Sequence, residues 1–289
     1  MNPLTQFKKM PILPLLIALA LVVVAAAGAA GAAISDFNGD GHPDFVLQNG
    51  CKHKTAIWYL NNNVYTGSAP GPTLGFWFLV GAADFNRDGH PDYLSLDSGI
   101  SPDTEIWYLS GRTLVGTAHG PSVPRVPSGW GWWGAGDFNG DGYPDYVLYN
   151  ATTRQTAIWY LNNNVYVSGG YGPTLPTGWF VVGVADFNRD GHPDYVLENG
   201  TGQTAIWYLS GRTLVGGASG PAIRSGWGLA GTADFNGDGY PDYVLYNDTT
   251  RQTAIWYLSN NVLISGAYGP ILPCAWDYCN PWDYPPCCP

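Results

Sequence analysis

DFNGDGHPD, spanning Asp36–Asp44, returns four more times almost unchanged: DFNRDGHPD from Asp84, DFNGDGYPD from Asp137, DFNRDGHPD from Asp186 and DFNGDGYPD from Asp234. Each copy reads D-x-N-x-D-G-x-x-D, which sets oxygen-bearing side chains at alternate positions ahead of a glycine. A hard cation that takes six to eight oxygens at about 2.3–2.6 Å suits such a loop. In the first copy Asp36, Asn38, Asp40 and Asp44 would offer side-chain oxygens and His42 its backbone carbonyl. The same roles fall to Asp84, Asn86, Asp88 and Asp92 with His90, and to Asp137, Asn139, Asp141 and Asp145 with Tyr143. They fall again to Asp186, Asn188, Asp190 and Asp194 with His192, and to Asp234, Asn236, Asp238 and Asp242 with Tyr240. Gly41 and its counterparts permit the sharp turn that gathers these atoms. The expected cofactor is calcium, about one ion per loop.

The spacing of the copies sets the architecture. Successive first aspartates lie 48, 53, 49 and 48 residues apart, and a second marker, IWYL, keeps step at Ile57, Ile106, Ile158, Ile206 and Ile255. A period near 50 residues belongs to solenoids, propellers or arrays. Each period holds four strand-like runs. In the fourth they are WFVVGVADF ending at Phe187, DYVLEN from Asp194, TAIWYL from Thr204 and TLVGGA from Thr213. These runs are rich in branched and aromatic residues and bounded by Gly, Asn, Asp and Pro. TAIWYL is apolar on both faces, as a strand sandwiched between two sheets must be. The expected fold is all-β, a propeller of about five four-stranded blades with one calcium loop each. The tryptophans of IWYL are then core residues.

The segments G-x-ADFN-x-DG-x-PDYVL, such as Gly183–Leu197 and Gly231–Leu245, resemble the FG-GAP and VCBS repeats of integrin-type calcium-binding β-propellers. The resemblance covers about residues 32–273. It implies metal roles for the loop aspartates, because that family holds calcium in a hairpin loop of each blade with D-x-D-x-D-G-x-x-D. Here the third position is Asn in every copy, leaving three carboxylates per loop and a weaker site. Propellers of that family often have seven blades, against five copies here.

The units alternate. The first, third and fifth carry FNGDG, with NNNVY at Asn61 and Asn162 and the related SNNV at Ser259; the second and fourth carry FNRDG and LSGRTLVG, with Arg112 and Arg212 at matching positions. Copying of a two-blade block gives this ABABA order, and arginines in such loops are expected to be solvated. Of 22 acidic residues, 15 are loop aspartates, and five divalent cations would cancel the formal charge of −10. With no basic patch to neutralise phosphates, a nucleic-acid partner is not expected.

The chain divides into residues 1–29, a signal peptide or N-terminal membrane anchor, 30–273, the five-repeat propeller, and 274–289, a Cys/Pro-rich tail. Lys8 and Lys9 precede an apolar run from Pro11 through Ala33 that ends in small residues, the order of an export signal. Cleavage points end at Ala27 or Ala29. The run also has the length to span a bilayer, so a membrane contact would come only through an uncleaved segment. Either outcome makes the repeats extracellular or surface-exposed. Cys274, Cys279, Cys287 and Cys288 crowd the tail while Cys51 stands alone. Disulfides fit an exported chain, and a clasp from Cys51 to Cys274 or Cys279 would tie the fifth blade to the first.

No nucleophile motif accompanies His53 or His119, and the interchange of His with Tyr at the seventh loop position argues against imidazole chemistry there. Glu105 and Glu198 are the two glutamates, at non-equivalent positions, a poor pair for glycoside hydrolysis. A non-catalytic binding or adhesion scaffold for an extracellular glycan or surface protein is therefore expected. The alternatives are the propeller domain of a polysaccharide-degrading enzyme and a purely structural envelope protein. Trp130, Trp179 and Trp227, each after a glycine, and Gly75–Trp77 lie between blades; they plug the junctions or form an aromatic sugar platform. Asn150, Asn199 and Asn247 begin Asn-x-Thr triplets in equivalent turns, where turn chemistry already explains Asn.

Overall fold

Branched and aromatic residues gather in four short runs per repeat, and in the computed structural model each run is a strand. The structure describes residues 36–49, 52–97, 103–121, 126–127 and 129–273, together with the two-residue strand Leu21–Val22. Blade one holds β1 (Leu21–Val22), β2 (Phe45–Gln48), β3 (Lys54–Asn61) and β4 (Val64–Thr73). Blade two holds β5 (Phe78–Ala83), β6 (Asp92–Leu96), β7 (Thr104–Ser110) and β8 (Thr113–His119). Blade three holds β9 (Trp130–Gly136), β10 (Asp145–Asn150), β11 (Gln155–Asn162) and β12 (Val165–Thr174). Blade four holds β13 (Trp179–Ala185), β14 (Asp194–Asn199), β15 (Thr204–Ser210) and β16 (Thr213–Ser219). Blade five holds β17 (Gly228–Ala233), β18 (Asp242–Asn247), β19 (Gln252–Ser259) and β20 (Val262–Ile271). Within each blade the strands pair antiparallel in chain order. The fold is all-β, a five-bladed propeller, with no helix among the described residues.

The ring closes through its inner strands. β1 lies beside β5, β5 beside β9, β9 beside β13, β13 beside β17, and β17 returns to β1. The repeat register points to the residues just before Asp36 as the inner strand of blade one. Those residues lie outside the described ones; the strand described beside β2 is β1, which pairs Leu21 with Leu47 and Val22 with Val46, inside the segment expected to be a signal or anchor.

The hydrophobic core sits between blades. Five clusters each join side chains of two neighbours, including the last and the first: Phe45, Leu47 and Leu60 pack with Phe235, Val244 and Ile255. Ile57, Ile106, Ile158, Ile206 and Ile255 are all fully buried, as a strand covered on both faces demands. At every junction the loop phenylalanine of one blade meets, edge to face, the aromatic residue that opens the second strand of the next. These pairs are Phe37–Tyr93, Phe85–Tyr146, Phe138–Tyr195, Phe187–Tyr243 and Phe235–Phe45, with centroids 5.7–6.3 Å apart. Glycine is required opposite them. A Cβ on Gly220 would stand 2.4 Å from Thr204 Oγ1 and 2.7 Å from the Tyr243 hydroxyl.

Polar stitches reinforce the junctions, and they follow the alternation. Tyr108 donates to Asn163 Oδ1 at 2.6 Å and Tyr208 to Asn260 Oδ1 at 2.7 Å, each from an even blade to the next odd one. Between blades five and one, both odd, Asn63 accepts from Tyr257 at 3.2 Å and donates to Tyr268 O at 2.8 Å. Arg112 and Arg212 are exposed, as expected, and Arg212 also lies over the Tyr160 ring at 5.9 Å, beside Gly170. Among the described residues the ring closes by packing and hydrogen bonds. Cys51 and Cys274–Cys288, the partners of the expected clasp, lie outside the described residues. Asn150, Asn199 and Asn247 serve their turns: each Oδ1 accepts a backbone N–H two or three residues on, at 2.9–3.0 Å.

Two measurements check this account. Phe187→Ala removes one half of an interblade ring pair and is expected to cost about 3–5 kcal/mol, whereas Tyr243→Phe, which keeps the ring, should cost no more than about 1 kcal/mol. Equal losses in denaturant titrations would refute the ring-pair account. A second test concerns a brace across junctions. Gln48 Nε2 donates to Trp77 O at 2.7 Å and Gln48 Oε1 accepts Leu79 N–H at 2.8 Å. Between blades four and five the matching residue is Glu198, which accepts Leu229 N–H at 3.2 Å. Burial pushes the Glu198 carboxyl up against that bond, so its contribution to stability fades as pH rises through its native pKa. Glu198→Gln should therefore stabilise at pH 8 by about 1 kcal/mol, or about 2–4 °C for a domain of this size, and by less at pH 4. A melting temperature lowered at both pH values would reject the brace.

Candidate metal-binding loops

Each D-x-N-x-D-G-x-x-D segment connects the first and second strands of its blade, and all five close on the same hydrogen bonds. The first aspartate accepts the glycine N–H at the sixth position: Asp36 from Gly41, Asp84 from Gly89, Asp137 from Gly142, Asp186 from Gly191 and Asp234 from Gly239, at 2.7–2.8 Å. That glycine has φ of 86–88° in every loop, a region that side chains beyond glycine rarely adopt. The asparagine Oδ1 accepts the fifth-position N–H at 2.9–3.0 Å, and the fifth-position aspartate accepts the N–H of His42, His90, Tyr143, His192 or Tyr240 at 2.8–3.0 Å.

The ninth-position aspartates behave differently. Asp44, Asp92, Asp145, Asp194 and Asp242 are fully buried. One carboxylate oxygen of each accepts the N–H of the loop phenylalanine at 2.9–3.0 Å. The other accepts a leucine N–H near the end of the third strand, from Leu60, Leu109, Leu161, Leu209 or Leu258, at 2.9–3.1 Å. Their first duty is structural: each holds its loop onto its sheet. Burial pushes all five up to about 7, the two backbone N–H bonds pull down, and the first- and fifth-position aspartates push up again by repulsion.

The loop side chains expected to bind an ion are thus brought together within each turn, with the ninth turned inward. Among the described residues no three His, Cys, Asp or Glu side chains already stand as an ion-holding group. The donor set itself, three carboxylates, one amide and no soft atom, suits a hard divalent cation.

Arginine couples neighbouring loops, which the sequence reading missed. Arg87 lies over the Tyr143 ring at 5.1 Å and donates to Asp141 O at 3.1 Å, and Arg189 lies over the Tyr240 ring at 4.9 Å. Both arginines hold a positive φ, 62° and 61°, where Gly39, Gly140 and Gly237 stand in the other loops. The signal was in the chain: tyrosine occupies the seventh position only where the preceding loop carries arginine, and histidine where it carries glycine. Trp77, Trp130, Trp179 and Trp227 are half-buried and pack on the junction cores, while Phe76 beside Trp77 is exposed.

A family profile described as FG-GAP-like repeat matches residues 36–95, 137–197 and 186–245. No curated protein sequence matches the chain. Among solved structures, it is similar to a Bacteroides caccae protein of unknown function at 13% identity, covering 77% of this chain and 71% of that one with a TM-score of 0.42. It is similar to a chain of the Photorhabdus luminescens Tc holotoxin pore at 15% identity, covering 88% of this chain but 12% of that one, with a TM-score of 0.46. The Malassezia sympodialis allergen Mala s 1 aligns at 9% identity over 75% of this chain and 72% of that one, with a TM-score of 0.39. Likenesses this distant carry no functional information.

The buried aspartates set a pH dependence. Their native pKa of about 7 lies above an unfolded value of about 3.9. Between these limits the folded chain keeps protons that the unfolded chain has released, so stability falls as pH rises. The melting temperature of metal-stripped protein should therefore decline from pH 4 to pH 7. A rise through that window would contradict the assignment.

Proposed function

Because the chain belongs to the FG-GAP-like repeat family, whose profile spans more than half of it, we propose that it is a calcium-loaded, surface-exposed propeller that binds rather than catalyses. The observation that carries this reading is the fivefold identity of the loops: the same turn, donors and buried aspartate recur in every blade. Asp36, Asn38 and Asp40, with the His42 carbonyl, would hold the ion in loop one, backed by Asp44, and the matching residues would do so in the other four. When bound, calcium supplies positive charge that neutralises repelling carboxylates and fixes the turn. Three carboxylates per loop give weak sites, which fill at extracellular calcium concentrations.

The glutamates support a non-catalytic reading. Glu198 is engaged by Leu229 N–H, and Glu105 stands 4.0 Å from the exposed ring of His119, and the two glutamates sit in different blades rather than as a pair. Residues 1–29 would direct export; β1 (Leu21–Val22) lies within them, so cleavage at Ala27 or Ala29 would take the inner strand of blade one with it. No helix among the described residues is long and apolar enough to cross a membrane. The ring then presents repeated faces to an extracellular glycan or surface protein, and repetition supplies avidity from weak single contacts.

Calcium at about ten times its dissociation constant contributes about 1.4 kcal/mol per site, or about 7 kcal/mol for five, comparable with the whole stability of a domain. Melting should drop sharply in chelator and recover with calcium more than with magnesium. An unchanged melting temperature would remove the metal assignment. Glycan-array binding with and without chelator tests the ligand class.

A further inference from the structure

Blades three and five display the same aromatic pair on the outer part of the sheet. Tyr171 in β12 is 71% exposed, and its ring stacks on Trp130 with centroids 5.9 Å apart and planes 21° from parallel. Tyr268 in β20 is 70% exposed and stacks on Trp227 at 6.1 Å and 30°. Register sets Tyr171 opposite Ala157 and Tyr268 opposite Ala254. In both blades a small residue on the third strand lets rings from the first and fourth sides of the sheet meet above it. Blade four has Ser219 opposite Ala205 and blade one Pro70 opposite Ala56, so neither builds the pair. The tryptophans pack on the junction cores, but tyrosines this exposed gain little from burial, which leaves the repeated placement of Tyr171 and Tyr268 unexplained by packing.

On blade five the pair borders an open cleft of about 340 Å³, within the size range of small-ligand sites. Trp227, Trp256 and Tyr268 supply its aromatic surface, with Gly266 and Ala267 of β20 among the other lining residues. Arg224 is the one charged residue lining it; its side chain is exposed. β20 is the edge strand of its sheet, so its outward backbone groups are open to hydroxyls. Flat rings match the C–H face of a pyranose, and a guanidinium matches a carboxylate in a bidentate pair.

We propose that this cleft binds a saccharide carrying uronic acid units, with the sugar on Trp227 and Tyr268 and its carboxylate on Arg224. The Trp130–Tyr171 pair is a second platform on the same chain. This deepens the glycan reading above and rests on it. The site is shallow and single-charged, so its affinity is modest and two platforms on one rigid ring add through avidity.

Calorimetric titration of the full chain in calcium tests it, using tetragalacturonate and neutral cellotetraose as probes. The parent should bind the acidic probe more tightly than the neutral one, at about two sites per chain. Tyr268→Ala should remove one site or weaken binding at least tenfold, and Arg224→Ala should abolish the preference for the acidic probe. Both side chains are exposed, so melting temperatures should stay near the parent's; if Tyr268→Ala misfolds, Arg224→Ala alone decides. Parent-like binding by both variants would overturn the cleft while leaving glycan recognition standing. Failure of the parent to bind either probe, with glycans bound on the array, also overturns the cleft. No saccharide bound in either format would remove both readings. Equal affinity of the parent for the two probes would overturn the uronic acid assignment.

Discussion

A buried aspartate with a backbone N–H on each carboxylate oxygen anchors every blade. Asp194 takes Phe187 N–H on one oxygen and Leu209 N–H on the other, and so joins the loop, the start of the second strand and the end of the third. Charged hydrogen bonds of this kind are among the strongest available inside a protein. Once the loop is fixed, Phe187 is aimed at Tyr243 of the following blade. The same atoms that shape a candidate ion site therefore orient the next sheet. In this chain the loop and the ring are one mechanical unit repeated five times.

Alternation of blades has a physical counterpart in their contacts. An odd blade offers asparagines to the tyrosine of the blade before it, and an even blade sends arginine across to its neighbours. Five units in ABABA order must bring two odd blades together at closure. Asn63 resolves that contact by serving both Tyr257 and Tyr268, where in blades three and five two asparagines divide the same work. Phe45 stands there in place of the tyrosine found at the other four junctions, so that ring pair carries no hydroxyl.

The acidity of the chain acquires meaning from the same geometry. Fifteen aspartates are concentrated in five turns, and the innermost carboxyl of each is raised first by burial and then by repulsion from the other two. Repulsion of that kind is stored in the fold until a proton or a cation relieves it.

The sequence by itself determined the repeat, the strand runs, the all-β class and the loop residues, because each depends on neighbours a few positions apart. Glycine at a positive φ, asparagine in a turn and the branched and aromatic run TAIWYL act locally and can be read locally. The ring decided the rest. The inward turn of Asp44, the seating of Arg87 on Tyr143, the brace at Glu198 and the stacking of Tyr268 on Trp227 all join residues that only folding brings together. Arg87 and Tyr143 were visible as a covariation between copies, but their contact spans 54 residues in Arg87–Asp141. Pairing at that range is fixed by which blade faces which, and sheet packing, not local propensity, sets that.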